Sequence, residues 1–209
     1  MVRYHPVRML ELPTNIHQAP PTDAVAVEQN KRNYLFFVDA QYIKYYEGPE
    51  GGKEGPSVSY KIKTLKLNGK PIKVSAKVQQ IAAVAYVADN KKEVSRSVTV
   101  AGALQKVADR KIQIRVYYAE DIENLTHLKE VCITNGDFAK TYPGALNDLN
   151  EDASSALAPG TSISAINLLS SSLLKVFAAK ASGNGELAVW YWAYGDEAWN
   201  SRLVKVEKD

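Results

Sequence analysis

Asp39 closes the apolar run FFVDA, and Glu120, Asp121 and Asp137 follow later strands or turns. A metal-dependent nuclease or phosphatase needs such convergent acids to hold magnesium ions and align an attacking water, with Asp39 as the leading residue here. The competing reading is an aspartate that merely ends a strand or opens a turn. The three histidines, His5, His17 and His127, have no spacing that sets two on one helix or strand face. Cys132 is the only cysteine, which excludes an intrachain disulfide and a cysteine zinc cluster. His127 and Cys132 lie five positions apart, on different faces of a helix, so they make no nucleophile pair. No cofactor and no metal site are expected, and the chain reads as a non-enzyme.

The run NYLFFVDAQYIKYY, 33 to 46, resembles the opening strand and aspartate of the NYN and PIN nuclease families. That resemblance implies a fold of alternating β-α units, which the rest of the chain does not supply. Two glycine-rich stretches fail as phosphate loops. GNGELA, 183 to 188, follows an expected helix and precedes a strand, the reverse of the order that places a pyrophosphate on a helix N-terminus. GPEGGKE, 48 to 54, has Glu47 where the first glycine of such a loop belongs and Glu54 where Ser or Thr must ligate magnesium.

A second chemistry is charge. In KIKTLKLNGKPIKVSAK, 61 to 77, lysines recur around Asn68-Gly69, the strongest short-range hairpin signal in the chain. A two-residue turn pairs Leu67 with Lys70 and Leu65 with Ile72. Continued without interruption, that register buries lysines, which is costly. One extra residue near Thr64, a β-bulge, would instead pair Ile62 with Val74, Tyr60 with Ala76 and Val58 with Val78. Lys61, Lys63, Lys73 and Lys77 would then share one outer face, beside Tyr60. Such a face suits nucleic acid or another polyanion, with tyrosine for base stacking. It equally suits an exposed edge that repels strand addition. No RNP, KH or helix-turn-helix signature raises the nucleic-acid case.

A third chemistry is self-association. Residues 1 to 30 alternate apolar anchors, among them Met9, Leu10 and Ile16, with prolines at 6, 13, 20 and 21, a pattern that forbids helix. They read as an extended arm that must lie on its own domain or on a neighbour. The C-terminal AVWYWAYGDEAW concentrates Trp190, Trp192 and Trp199, residues that anchor interfaces but also fill cores. Alternation sends Trp190 and Trp192 to one face and Val189 and Tyr191 to the other.

The elements that must position these residues are mostly strands. Besides the runs above, KIQIRVYYA (111 to 119), VSRSVTV (94 to 100), ELAVWYWAY and SRLVKVE read as strands, the last two as a terminal hairpin. IAAVAYV (81 to 87) fits a buried strand or a short helix, and AGALQKVAD a short helix. DIENLTHLKEVC, 121 to 132, places Ile122, Leu125, Leu128 and Cys132 on one helical face. The clearest helix is expected over about 162 to 181, where Ile163, Ile166, Leu169, Leu173 and Phe177 recur at helical spacing, with Thr161 or Ser162 as cap. Internal repeats are not evident.

The balance of 45% hydrophobic and 23% charged residues over 209 positions is that of an ordinary globular chain. The net charge of +3 divides unevenly: residues 1 to 115 hold 19 basic and 10 acidic side chains, and residues 116 to 209 hold 7 and 13. No apolar run reaches the roughly 18 residues of a membrane span, and the start lacks the apolar stretch of a secretory signal. The expected fold is mainly β, a β-rich α+β antiparallel sandwich or barrel of the jelly-roll kind, with the arm at 1–30 and a single globular domain at 31–209. The expected role is a self-assembling structural protein of virion or capsid type, located in a virion or otherwise cytoplasmic, with other copies of itself as partners. Nucleic-acid binding through 61–77 and hydrolysis at Asp39 are the alternatives.

Overall fold

The computed structural model describes residues 23–29, 31–49, 61–88, 111–149, 156–168, 173–182, 185–193 and 198–205. Three four-stranded antiparallel sheets are built from strands in chain order. Sheet I comprises β1 (Ala24–Gln29), β2 (Arg32–Asp39), β3 (Tyr42–Glu47) and β4 (Ile62–Thr64). A two-stranded hairpin follows, β5 (Lys66–Leu67) with β6 (Lys70–Pro71). Sheet II comprises β7 (Ala82–Ala88), β8 (Lys111–Ile122), β9 (Leu125–Thr134) and β10 (Tyr142–Pro143), followed by a 3-10 turn at Ala145–Leu149. Sheet III comprises β11 (Ser164–Leu168), β12 (Leu173–Ala179), β13 (Leu187–Ala193) and β14 (Asn200–Leu203). Each sheet is a simple meander, without the crossovers a jelly roll requires.

The sheets stack face to face, with sheet II in the middle. Alternation along β8 splits its side chains between two cores: Ile114, Val116 and Tyr118 join Tyr34, Phe36, Val38, Ile43 and Tyr45 of sheet I. Tyr117 and Ala119 join Leu174, Val176, Ala178 and Trp190 of sheet III. A strand buried on both faces carries no polar face, which is why IAAVAYV gave no usable period. It forms β7. The first strands of the sheets also neighbour one another, β7 lying against both β1 and β11.

The helix expected over 162–181 is not formed, and among the described residues there is no α-helix. β11 and β12 stand there as a hairpin, Ser164 facing Phe177 and Leu168 facing Leu173. Both faces of β12 are largely apolar, so a period of two was hidden beneath an apparent period of 3.6. Thr161 accepts a hydrogen bond from the Ala179 amide at 2.7 Å, so it caps no helix. The helical reading of 121–132 fails too. Glu123 has φ +55° in the turn between β8 and β9, and Ile122 faces Leu125 across it.

The Asn68-Gly69 hairpin is present, with φ values of +51° and +78°. Leu67 pairs with Lys70, and the Ile72 amide donates to the Leu65 carbonyl at 3.0 Å. Beyond Leu65 the expected bulged register gives way to a fork. Lys63 and Thr64 turn to β3, facing Tyr45 and Lys44, while Lys73 bridges Tyr42 and the Val74 amide donates to Gln41. The expected arm also ends earlier than residue 30, because Ala24–Gln29 is the first strand of sheet I. The expected strand at 94–100 and short helix at 101–109 lie outside the described residues.

Candidate functional site

The most developed polar geometry sits between sheets and occurs twice. In sheet I, Arg32 opens β2 and Glu47 closes β3; Tyr34 faces Glu47 across the ladder. Arg32 Nη1 donates to Glu47 Oε1 at 2.5 Å. In sheet II, Arg115 lies on β8 and Glu130 on β9, with Tyr117 facing Glu130. Arg115 Nη1 donates to Glu130 Oε1 at 2.6 Å. Each pair spans the same 15 residues, with a tyrosine two positions after the arginine. On sheet III, β13 offers only Leu187, Val189, Tyr191 and Ala193 on its outward face, so no such carboxylate is present there.

The two pairs differ in access. The side chains of Arg32 and Glu47 are 36% and 25% exposed, whereas those of Arg115 and Glu130 are 13% and 0% exposed. At the sheet I pair, Lys63 Nζ donates to Glu47 Oε2 at 2.8 Å and stands 5.8 Å from the centre of the Tyr45 ring. Phe138, from the loop after β9, stacks on Tyr45 at 4.2 Å and lies 5.2 Å from Tyr34. The result is an accessible carboxylate gripped by two cations beside an aromatic stack. The Lys63 hydrogen bond, opposed by partial burial and aided by Arg32, holds the Glu47 carboxyl below its ordinary range. Burial and the Glu47 charge push the Tyr45 phenol up to about 12, so it stays neutral.

The sheet II pair is sealed. Arg115 Nε donates to Tyr86 Oη at 2.7 Å, and the guanidinium lies 5.2 Å from the Trp192 ring centre. Glu130 Oε2 accepts from the Leu146 amide at 3.2 Å, while Asn147 clasps both the amide and the carbonyl of Glu130. Burial works against the Arg115 charge, but the Glu130 carboxylate outweighs it and keeps the guanidinium firmly ionised.

The residues singled out from the sequence do not converge. Lys63 is bound to Glu47, Lys77 reaches the Asn124 carbonyl at 3.4 Å, and Lys61 and Lys73 are exposed, so the four lysines share no single face. Tyr60, Met9, Leu10 and Ile16 lie outside the described residues. Trp190 and Trp199 are buried within the core between sheets II and III, and Trp192 covers Arg115. Asp39 pairs with Lys44 at the end of a hairpin whose turn residues, Ala40 and Gln41, have φ of +49° and +67°. Asp121 accepts from Ser75 and Thr126, both at 2.7 Å. No cluster of three or more His, Cys, Asp or Glu able to hold a metal exists among the described residues. Arg32, Glu47, Arg115 and Glu130 were not found from the sequence; the Arg-x-Tyr triplet with a glutamate fifteen positions after its arginine is the signal that marks them.

No protein-family model and no curated protein matches the chain in sequence. Solved structures do match in fold. The lectin of Aleuria aurantia, described as a six-bladed β-propeller with a novel fucose recognition mode, is 16% identical with a TM-score of 0.53, over 88% of this chain and 47% of that one. A variant of the same lectin in complex with Fucα1-6GlcNAc is 15% identical, TM-score 0.51, over 87% and 47%. An arginine-to-alanine variant of AofleA from Arthrobotrys oligospora is 16% identical, TM-score 0.50, over 86% and 40%. The chain thus spans about half the length of the structures it matches or less. These are lectins rather than enzymes, in keeping with the expectation of no catalysis. The likeness to these lectins overturns the virion or capsid role expected from the sequence, together with the nucleic-acid and Asp39 hydrolase alternatives. Three sequential meanders stacked with their first strands adjacent are three consecutive blades of a β-propeller.

Proposed function

We propose that the protein binds carbohydrate, without catalysis, at the Arg32–Glu47 cluster between the first two blades. The observation that carries this reading is the accessible carboxylate held by Arg32 and Lys63 beside the Tyr45–Phe138 stack, on a fold similar to fucose-binding lectins. A sugar needs what this cluster offers. A ring hydroxyl donates to a carboxylate while accepting from a guanidinium, and these charge-assisted bonds are stronger than neutral ones. An apolar sugar face packs against an aromatic ring, which also orients the ligand. The sealed Arg115–Glu130 pair offers no such access, so it serves as the blade's internal brace. The expected stoichiometry is one sugar per chain.

The test is titration calorimetry with L-fucose, after a glycan-array screen. Binding by the intact chain is expected, with Arg32→Ala and Glu47→Gln each weakening affinity at least tenfold while the melting temperature changes little. Failure to retain any sugar across the array would end the carbohydrate reading. Unchanged affinity in both variants would move the site elsewhere.

A further inference from the structure

Where β2 starts, β3 ends and β4 starts, sheet I gathers more cations than Glu47 occupies. Arg32 Nη1 and Lys63 Nζ already take one carboxylate oxygen each. Lys63 faces Tyr45 and Ile62 faces Tyr46, so one further step of that register sets Lys61 level with Glu47. Lys61 shares the face of Lys63, because side chains two positions apart point the same way. Lys31 sits in the turn between β1 and β2, next to Arg32. Lys140 approaches from blade II, between Phe138, which stacks on Tyr45, and Thr141, whose hydroxyl donates to the Lys66 carbonyl. Lys31, Lys61 and Lys140 are all exposed. Lys31 and Lys61 make no ion pair among the described residues, and Lys140 has Asp137 at 4.0 Å. Like charges gathered at one edge repel over a Debye length, roughly 8 Å at physiological ionic strength, and a bound anion relieves them.

We propose that this site takes an acidic saccharide. The sugar ring binds Arg32 and Glu47 beside the Tyr45–Phe138 stack, and a sulfate or carboxylate substituent on that sugar is held by Lys61, Lys63 and Lys140. The inference rests on the carbohydrate reading of the same cluster and adds the charge of its ligand. The sealed pair shows that a carboxylate in this position needs no second cation: Glu130 Oε2 accepts from the Leu146 amide instead. The lysines belong to the pair that solvent reaches. A neutral sugar is served by one carboxylate and one guanidinium, and it leaves Lys61 and Lys140 unused. The residue types also divide the work. The rigid fork of Arg32 fixes a ring hydroxyl, whereas an ammonium on a flexible stem follows an anionic group to whichever ring position carries it. The exposed lysines lie on the solvent side of the cluster, where a substituent of a ring seated on Glu47 projects. Lys31 adds to the attractive field without a contact of its own. The anion is a substituent of a sugar and not the backbone of the nucleic acid set aside above, because Glu47 accepts from a ring hydroxyl but repels a phosphate chain laid across it.

Calorimetry on matched sugars tests this: L-fucose against L-fucose monosulfate, and D-galactose against D-galacturonic acid. At about 0.01 M salt the acidic member of at least one pair should bind about tenfold tighter. The advantage should shrink at about 0.15 M, where the Debye length has fallen from about 30 Å to about 8 Å. Preference in the sulfate arm or in the carboxylate arm supports the proposal and identifies the group. Lys61→Gln and Lys140→Gln should each cut the acidic-to-neutral ratio at least threefold, and circular dichroism should show both folded, since both positions are exposed. Lys205→Gln, which removes an equal charge just beyond β14, should leave the ratio as it is. Equal affinity within both pairs would overturn the proposal and leave the carbohydrate reading standing. An acidic preference indifferent to the Lys61 and Lys140 substitutions would also overturn it. So would displacement of the acidic sugar by equimolar inorganic sulfate, which would mean that the ring adds nothing. Absence of binding by any sugar, neutral or acidic, would remove the carbohydrate reading and this inference with it.

Discussion

Glu130 and Glu47 occupy the same place in successive blades and live in opposite surroundings, so their substitutions should be read on different instruments. Glu130 has no exposed surface and is placed by Gly144: a Cβ at that glycine would lie 1.9 Å from Glu130 Oε2. Gly144→Ala must therefore expel the carboxylate from Arg115 and from the Leu146 amide. Breaking a buried pair by displacing one partner costs about 3–5 kcal/mol, because the other charge is left buried. Urea denaturation of Gly144→Ala should show a loss of that order, and Arg115→Ala should be destabilised as well, whereas Arg32→Ala should not. Glu47 answers to pH instead. Its folded pKa lies below its ordinary value of 4.5. The stability it adds is complete above that value and disappears as pH falls through the lower, folded one. A small stability gap between the parent chain and Glu47→Gln should be present at about pH 6 and narrow as pH falls below the ordinary carboxyl value of 4.5.

At the scale of elements, legibility followed turn chemistry. Asn68-Gly69 announced its hairpin because both positions need positive φ and few residues adopt it cheaply. At Gly69 an added Cβ would meet nothing within 4 Å, so Gly69→Ala pays only the left-handed backbone cost of about 1–2 kcal/mol. Thermal denaturation should show that modest loss. The hairpin between β2 and β3 turns on Ala40 and Gln41, which carry no such signal in the sequence. Apolar residues on both faces of β12 produced a false helix for a related reason. Periodicity reveals an element only when one of its faces meets water. The fork after Leu65 was legible in place but not in kind: the conflict of register near Thr64 was visible, while its resolution depended on β3, distant in sequence.

For the whole molecule, composition and pattern gave a mainly antiparallel β chain, yet not its threefold internal order. The blades repeat as geometry while their sequences share little beyond Arg-x-Tyr and a glutamate fifteen positions after the arginine. Two occurrences differing in burial are too few to announce a repeat. The terminal tryptophans illustrate the same limit. Their pattern correctly put Trp190 and Trp192 on one face, but only the stacking of sheet III on sheet II shows that this face is a core rather than a contact surface. Trp190→Ala, which empties a fully buried site, should cost about 3–5 kcal/mol. The loss is measurable by denaturant titration, and it should leave fucose affinity at the distant Arg32–Glu47 cluster unchanged in whatever fraction stays folded.

The position of β8 has one more consequence. It is hydrogen-bonded to β7 on one side and β9 on the other, and each of its faces is sealed by a different neighbouring sheet. Opening its amides to solvent therefore requires both cores to come apart, whereas β4 and β14 sit at the outer edge of their sheets. Deuterium should enter β4 and β14 within the earliest time points of a mass-spectrometric exchange series and reach the middle of β8 last, at the rate of global unfolding.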